Sequence, residues 1–316
     1  MVAGSEGSGG AGTLRGVAPT SDAIEPTGAG DARWAAGRVV LDRLNASASP
    51  IELVRDGLAL LVRAGDVLVR VRPRAEEPVA AREVEVARVL AEAGVPAVRL
   101  VEPAGQPWTV GATVVTAWRW TETVGVPTAT DLGVLARTLR DRTVGTYAYD
   151  VPRFDPLAAI RGAVASVPLG DPQGDFVRMR AHELSAEWSR IAEKDPAGTA
   201  LVHGDLHADN VLQTASGSVL ADLELAGAGP ASYDTAPTVV AVERYGADPA
   251  TLDAFIAGQD HDPRPWYGFD TCLAVYELWV TAWAVGVRER SPRLAEEAEL
   301  RVRCLRDGAC EPWHLH

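Results

Sequence analysis

Residues 203 to 210 read His-Gly-Asp-Leu-His-Ala-Asp-Asn, and Asp205 stands five positions before Asn210. A second acidic pair, Asp222 and Glu224, follows after a short hairpin-like segment. Phosphoryl transfer needs parts of this kind: one carboxylate to orient a hydroxyl nucleophile, and two oxygen ligands to hold Mg²⁺ on nucleotide phosphates. Taken in isolation the run allows a second chemistry. His203, Asp205, His207 and Asp209 alternate, and on a strand they would share one face and could bind Zn²⁺, as in a metallohydrolase. Gly204 and Asn210 favour a loop instead, and the other histidines (His182, His261, His314 and His316) supply no second ligand cluster.

The elements that must position these residues fall into two kinds. From Gly37 to about Trp118 the chain reads as strands plus one helix. Val39 to Leu44, Ile51 to Arg55, Leu58 to Arg63, Val67 to Arg72 and Val110 to Ala117 are the predicted strands, punctuated by Asn-Ala-Ser-Ala-Ser-Pro, Asp-Gly and Ala-Gly-Asp. The helix is predicted over Pro78 to Ala93, with proline in its first turn and Gly94 and Pro96 to stop it. Beyond this the pattern is mostly helical. Asp131 to Arg142 and Asp175 to Glu193 carry apolar residues at helical spacing, with Phe176, Met179, Trp188 and Ile191 marking one stripe. A last helix has Ser291 as N-cap, Pro292 at its first position and Gly308 past its end. Val211-Leu212 and Val219-Leu220-Ala221 flank a turn and predict a hairpin within the helical part. The expected class is α+β: a disordered tail over 1–30, a small β-rich N-terminal lobe over 31–117, and a larger helical lobe over 118–316.

Composition narrows the function. The net charge is −13, but residues 31–100 are close to neutral, while residues 201–270 hold eleven acidic side chains against only Arg244 and Arg264. That balance argues against nucleic acid, whose phosphates need basic patches, and favours Mg²⁺ and a cationic small molecule. No apolar run reaches ~18 residues, so no membrane span is expected. Three late cysteines, Cys272, Cys304 and Cys310, make no disulfide framework and point to a reducing, cytoplasmic setting. A single lysine, Lys194, stands against 29 arginines. A site that ordinarily uses lysine must here use arginine or do without.

The run His203 to Asn210 resembles the catalytic loop of the aminoglycoside phosphotransferase and choline kinase families, relatives of the protein kinases. Val219-Leu220-Ala221-Asp222-Leu223-Glu224 resembles their metal-binding segment, and Gly229-Pro230-Ala231-Ser232-Tyr233-Asp234 the stretch after it. Upstream, Glu83 through Gly94-Val95-Pro96 resembles their small-lobe helix and the turn that follows. The resemblance covers about residues 35 to 290 and implies a two-lobed, protein-kinase-like fold.

It also implies roles. Asp205 would orient an acceptor hydroxyl and take its proton, help typically worth ~10²–10⁴-fold. Asn210 and Asp222 would hold Mg²⁺ on ATP, with His203 shaping the loop and Glu224 supporting the metal site from behind. The phosphate-gripping strand residue would be Arg70, with Glu83 as its helix partner; Arg72 stands on the same strand face. The loop with Ser47 and Ser49 would lie between the first two strands and meet phosphate. Thr116 and Trp118, on the crossover strand, would border the adenine. Glu243, Asp262, Asp270 and Glu277 are the candidate partners for ammonium groups on the acceptor, and Trp266, Tyr267, Trp279 and Trp283 could contact a cation or a sugar face. The expected activity is transfer of the γ-phosphate of ATP to a hydroxyl of a small molecule, an aminoglycoside-like antibiotic or related metabolite. The absence of a strand lysine and of glycine in the Ser47–Ser49 loop leaves open a non-catalytic nucleotide-binding relative.

Overall fold

A computed structural model describes residues 32–102, 105–145, 151–308 and 311–314. The tail over 1–30, Cys310 and His316 lie outside the described residues. In chain order the elements are α1 (Ala32–Arg43), β1 (Ile51–Asp56), β2 (Leu60–Ala64), β3 (Val67–Pro73), α2 (Glu77–Glu92), β4 (Trp108–Val110), β5 (Thr113–Arg119), α3 (Ala129–Thr143), α4 (Pro156–Ala163), α5 (Pro172–Ile191), β6 (Thr199–Val202), β7 (Val211–Thr214), β8 (Gly217–Leu220), β9 (Gly227–Pro230), α6 (Ala236–Glu243), α7 (Pro249–Gln259), α8 (Phe269–Val287) and α9 (Pro292–Asp307). A five-stranded antiparallel sheet early in the chain and a helical remainder give the expected α+β class.

The chain divides into two compact units. The first holds residues 32–126 and takes back Leu212–Glu224. Its sheet runs in the order β1-β2-β3-β5-β4. The alternation in β3 sets its two faces: Val67, Val69 and Val71 are buried with Val62, Val115 and Ala117 against α1, while Leu68, Arg70 and Arg72 point the other way. The returning segment is stitched on by Val98 N–H to the Leu220 carbonyl (2.8 Å) and Leu220 N–H to the Pro96 carbonyl (3.0 Å).

The strand predicted over Val39 to Leu44 is instead the end of α1, and this is a correction. Ala36, Val40 and Leu41 lie on one helical face and are at most 3% exposed against the sheet, whereas Val39 is 53% exposed. Packing of that stripe, at helical spacing, overrides the β preference of the Val-Val pair.

The second unit holds Pro127–Val211 and residues 225–314. Its core gathers Phe154, Trp188, Tyr233 and Tyr276 edge to face, with ring centroids 4.6–6.3 Å apart. The strands β6 and β9 pair antiparallel, Val202 opposite Gly227, so the chain enters His203 from a fixed strand. The last helix starts and stops as the sequence predicts: the Ser291 hydroxyl accepts the Leu294 N–H, and Gly308 takes φ +71° past its end.

Candidate functional site

In the first unit the polar face of β3 meets α2 and Leu212–Glu224. Glu83 is the one acid on the buried stripe of α2 and is 1% exposed. Both of its oxygens are taken by arginines. Arg70 donates from Nη1 to Glu83 Oε1 (2.6 Å) and to Asp222 Oδ1 (3.1 Å). Arg72 donates from Nη1 to Oε2 (2.6 Å) and from Nη2 to Oε1 (2.9 Å), and reaches Glu224 Oε2 at 3.0 Å. Burial alone would raise the Glu83 carboxyl; Arg72 and Arg70 outweigh it and hold it below the ordinary carboxylate range. Glu224 goes the other way: burial, and then the charge of Asp222, push it up to about 7 against the pull of Arg72. Asp222 takes φ +55°, a left-handed conformation that Asp tolerates better than most residues and that recurs at functional sites.

Beside this network lies a small pocket walled by Leu68, Arg70, Val98, Trp118, Leu212 and Asp222. Its lining is mainly apolar, with Arg70, Glu83 and Asp222 among the charged groups. The Trp118 indole faces it, with Nε1 donating to Thr116 Oγ1 (2.9 Å); Thr116 itself is fully buried and off the wall. Ser47 and Ser49 are placed otherwise than expected. Because α1 replaces the predicted first strand, they lie between α1 and β1, and neither lines the cavity. The connection between β1 and β2 is Gly57-Leu58-Ala59.

In the second unit the loop after β6 is pinned from beneath. Asp234, 2% exposed in the turn after β9, accepts the backbone N–H of His203 (2.7 Å) and of Gly204 (2.8 Å). Gly204 has φ +84°, and a Cβ there would stand 2.6 Å from the Phe154 ring, so the turn requires glycine. His203 is buried and its Nδ1 accepts the Asp205 N–H (3.3 Å). Both oxygens of Asp205 have partners. The Tyr276 hydroxyl donates to Oδ1 (2.8 Å), while Asn210 Nδ2 (3.3 Å) and His207 Nε2 (3.5 Å) approach Oδ2. Burial would raise the Asp205 carboxyl; His207, Tyr276 and His203 together hold it below the ordinary range. Burial and the charge of Asp205 push the Tyr276 phenol well up. At neutral pH the pair is therefore an ionised acceptor and a neutral donor, the state a base for an alcohol requires.

The oxygens on offer suit a hard cation such as Mg²⁺. Asn210 is 5% exposed and its amide nitrogen is tied to the Asp205 carbonyl (2.9 Å), which leaves Oδ1 as the side-chain atom it could offer. Asp222 gives Oδ1 to Arg70, and its Oδ2 makes no hydrogen bond among the described residues. Ligating atoms of Glu83, Asp222 and Glu224 lie within 4.8 Å of one another, a set that contains no histidine. The zinc alternative required His203 to Asp209 on a strand; the segment is a loop ending in a 3₁₀ turn at Ala208–Asn210, and among the described residues these four form no ligand group.

The four acidic residues proposed for the acceptor differ in state. Glu277 is 8% exposed and paired with Arg244, and Asp262 is forked to Arg264. Glu243 and Asp270 are exposed and have no partner among the described residues. Of the aromatics, Tyr267 is exposed, Trp266 is buried, and Trp279 and Trp283 pack on the core. Three residues of the network escaped the sequence reading as participants. Arg72 carried a signal in its two-residue spacing from Arg70. Asp234 stood at the end of a stretch already marked. Tyr276 gave none, since 71 positions separate it from Asp205 and only helix packing joins them.

The model of the phosphotransferase enzyme family matches residues 49–270. Solved structures share the fold. The amicoumacin kinase hAmiN, in complex with AMP-PNP and Ca²⁺, aligns at a TM-score of 0.63 and 14% identity, over 88% of this chain and 96% of its own. Choline kinase LicA from Streptococcus pneumoniae aligns at 0.60 and 14%, over 85% and 98%. An aminoglycoside-3'-phosphotransferase of type VIII aligns at 0.55 and 24%, over 79% and 98%. No curated protein sequence matches the chain. The family match spans well over half of the 316 residues and includes both the Arg70–Glu83 network and the Asp205 loop, so the chain belongs to the phosphotransferase enzyme family, whose members are small-molecule kinases.

Proposed function

We propose that this chain transfers the γ-phosphoryl group of ATP to a hydroxyl of a small molecule, with an aminoglycoside-like antibiotic or related metabolite as acceptor. The observation that carries the reading is Asp205: an ionised carboxylate held by Tyr276 and Asn210 inside the family's matched region. Asp205 orients the acceptor hydroxyl and takes its proton as the oxygen attacks phosphorus. Asn210 and Asp222 would each offer a carbonyl or carboxylate oxygen to Mg²⁺, which would supply charge neutralisation on the phosphates. Arg70 binds phosphate oxygens, which its planar, permanently charged guanidinium can meet with paired N–H donors where a lysine would offer a point charge. Trp118, Leu68 and Val98, which line the pocket beside Arg70, would border the base. Glu243 and Asp270 are the carboxylates left to meet a cationic acceptor, since Glu277 and Asp262 already pair with arginines. The setting is the cytoplasm, where ATP is supplied and Cys272 and Cys304 stay reduced.

The test is a transfer screen with γ-labelled ATP and Mg²⁺ across aminoglycosides, other hydroxylated antibiotics, choline-like amines and amino alcohols, read by mass spectrometry. The expected result is one phosphoryl group gained by an acceptor with several hydroxyls. ATP binding without transfer to any of them would favour the non-catalytic reading.

A further inference from the structure

The first unit sets two arginines against one buried carboxylate, and they are not equivalent. Arg72 engages both oxygens of Glu83 with both terminal nitrogens, and its remaining bonds go to Glu224 and Glu76. It is 3% exposed and does not line the cavity. Arg70 reaches Glu83 and Asp222 through the single nitrogen Nη1. Its Nε and Nη2 make no hydrogen bond among the described residues, and it stands in the cavity wall. A guanidinium carries five N–H donors, so three of Arg70's remain for a ligand. The strand explains the difference. Residues two apart share a face but stand about 6.6 Å apart along it, so only one guanidinium can lie square to the Glu83 carboxylate.

We propose that Arg72 is the positioning residue of this site: by occupying Glu83 with a two-bond fork it keeps Arg70 turned to the cavity as the phosphate-binding guanidinium. Without Arg72, Glu83 would be a buried anion with one partner. Forked pairing is the stronger geometry, so it would draw both terminal nitrogens of Arg70 onto itself and away from the cavity. Where one cation would have to serve both the helix acid and the nucleotide, this chain divides the duties between two. The proposal rests on the phosphotransferase reading for the identity of the ligand.

The test uses the full chain without metal, titrated calorimetrically with ATP and with adenosine, alongside thermal unfolding of wild type, Arg70→Met, Arg72→Met and Arg72→Lys. Arg70→Met should bind ATP roughly 10- to 100-fold more weakly, leave adenosine affinity unchanged and melt closer to wild type than Arg72→Met. Arg72→Met should melt at least about 5 °C lower and also bind ATP more weakly, with adenosine unaffected wherever the variant is folded. Arg72→Lys keeps the charge but not the fork, and should fall between wild type and Arg72→Met in both readouts; it carries the comparison if Arg72→Met does not fold. Three results would overturn the assignment: full ATP affinity in Arg70→Met, an Arg72 variant that loses ATP affinity at wild-type stability, or equal midpoints for Arg70→Met and Arg72→Met. If wild type binds neither ATP nor adenosine, the phosphotransferase reading fails. The order of the melting points then still decides which arginine holds Glu83.

Discussion

Replacing Asp234 by Asn changes one atom type and should loosen the entire Asp205 loop. The carboxylate accepts two backbone N–H bonds, from His203 at 2.7 Å and Gly204 at 2.8 Å, at a site only 2% exposed. An Asn side chain offers one oxygen and one NH₂ to the same two donors. One N–H keeps a neutral acceptor, and the other faces a donor with no water to turn to. Leaving a buried donor unsatisfied costs about 1–3 kcal/mol, and bonds to a charged acceptor are worth about 1.5–3 kcal/mol, so a loss of roughly 3 kcal/mol follows. For a unit of this size each kcal/mol moves the midpoint by about 2–4 °C, giving a fall of about 6–12 °C. The sharper assay is amide hydrogen exchange. Local opening made easier by about 3 kcal/mol raises exchange at His203 and Gly204 on the order of 100-fold, more than in the helix α5. Phosphoryl transfer should fall with it, because Asp205 is one residue from the released strand end. Wild-type exchange at these two amides in a variant with a wild-type midpoint would refute the reasoning.

Three further expectations follow from packing and charge. A Cβ at Gly133 would stand 2.1 Å from the Phe255 carbonyl oxygen, so Gly133→Ala must push α3 from α7 and should cost about 1–3 kcal/mol in denaturant unfolding. Asp171 caps α5 by accepting from the Gln173 and Gly174 N–H groups, and Asp171→Ala should cost about 1 kcal/mol near neutral pH. Its carboxyl is held below its ordinary 3.8, first by Arg288 and then by the Gly174 N–H, so its contribution is present above that value and lost as pH falls through the folded one; the unfolding free energies of wild type and variant should therefore start to converge only as pH drops below 3.8 and meet below the folded value. Tyr276→Phe removes the 2.8 Å bond to Asp205 and should lower kcat roughly tenfold with little change in KM for ATP, and should add nothing on top of Asp205→Asn.

Much of this was legible in the chain because local rules and tertiary packing agree. The helix over residues 77–92 has its proline and glycine signals at both ends, β3 alternates Val-Arg-Val-Arg from Val69 to Arg72, and α9 has a cap, a first-turn proline and a terminal glycine. The Asp205 loop was legible because a contiguous octapeptide carries it. Reading failed where sequence distance hides contact or where burial overrides propensity. Val39-Val40-Leu41 has strand composition and is helical because its stripe packs on the sheet. That one error displaced the Ser47–Ser49 loop from between two strands. Arg72 looks like an exposed strand arginine until Glu83 and Glu224 are placed around it, and Tyr276 reaches Asp205 across 71 positions only because α8 packs in the aromatic core.

The central claim is that Asp205 is the base of a phosphoryl transfer. It is tested most directly by following label from γ-labelled ATP into an accepted substrate with wild type and with Asp205→Asn at equal nucleotide saturation. Asn keeps the side chain's shape but cannot take the proton, so transfer should fall by about 10²-fold or more while ATP affinity and the melting midpoint stay near wild type. Transfer at the wild-type rate in the Asn variant would contradict the claim.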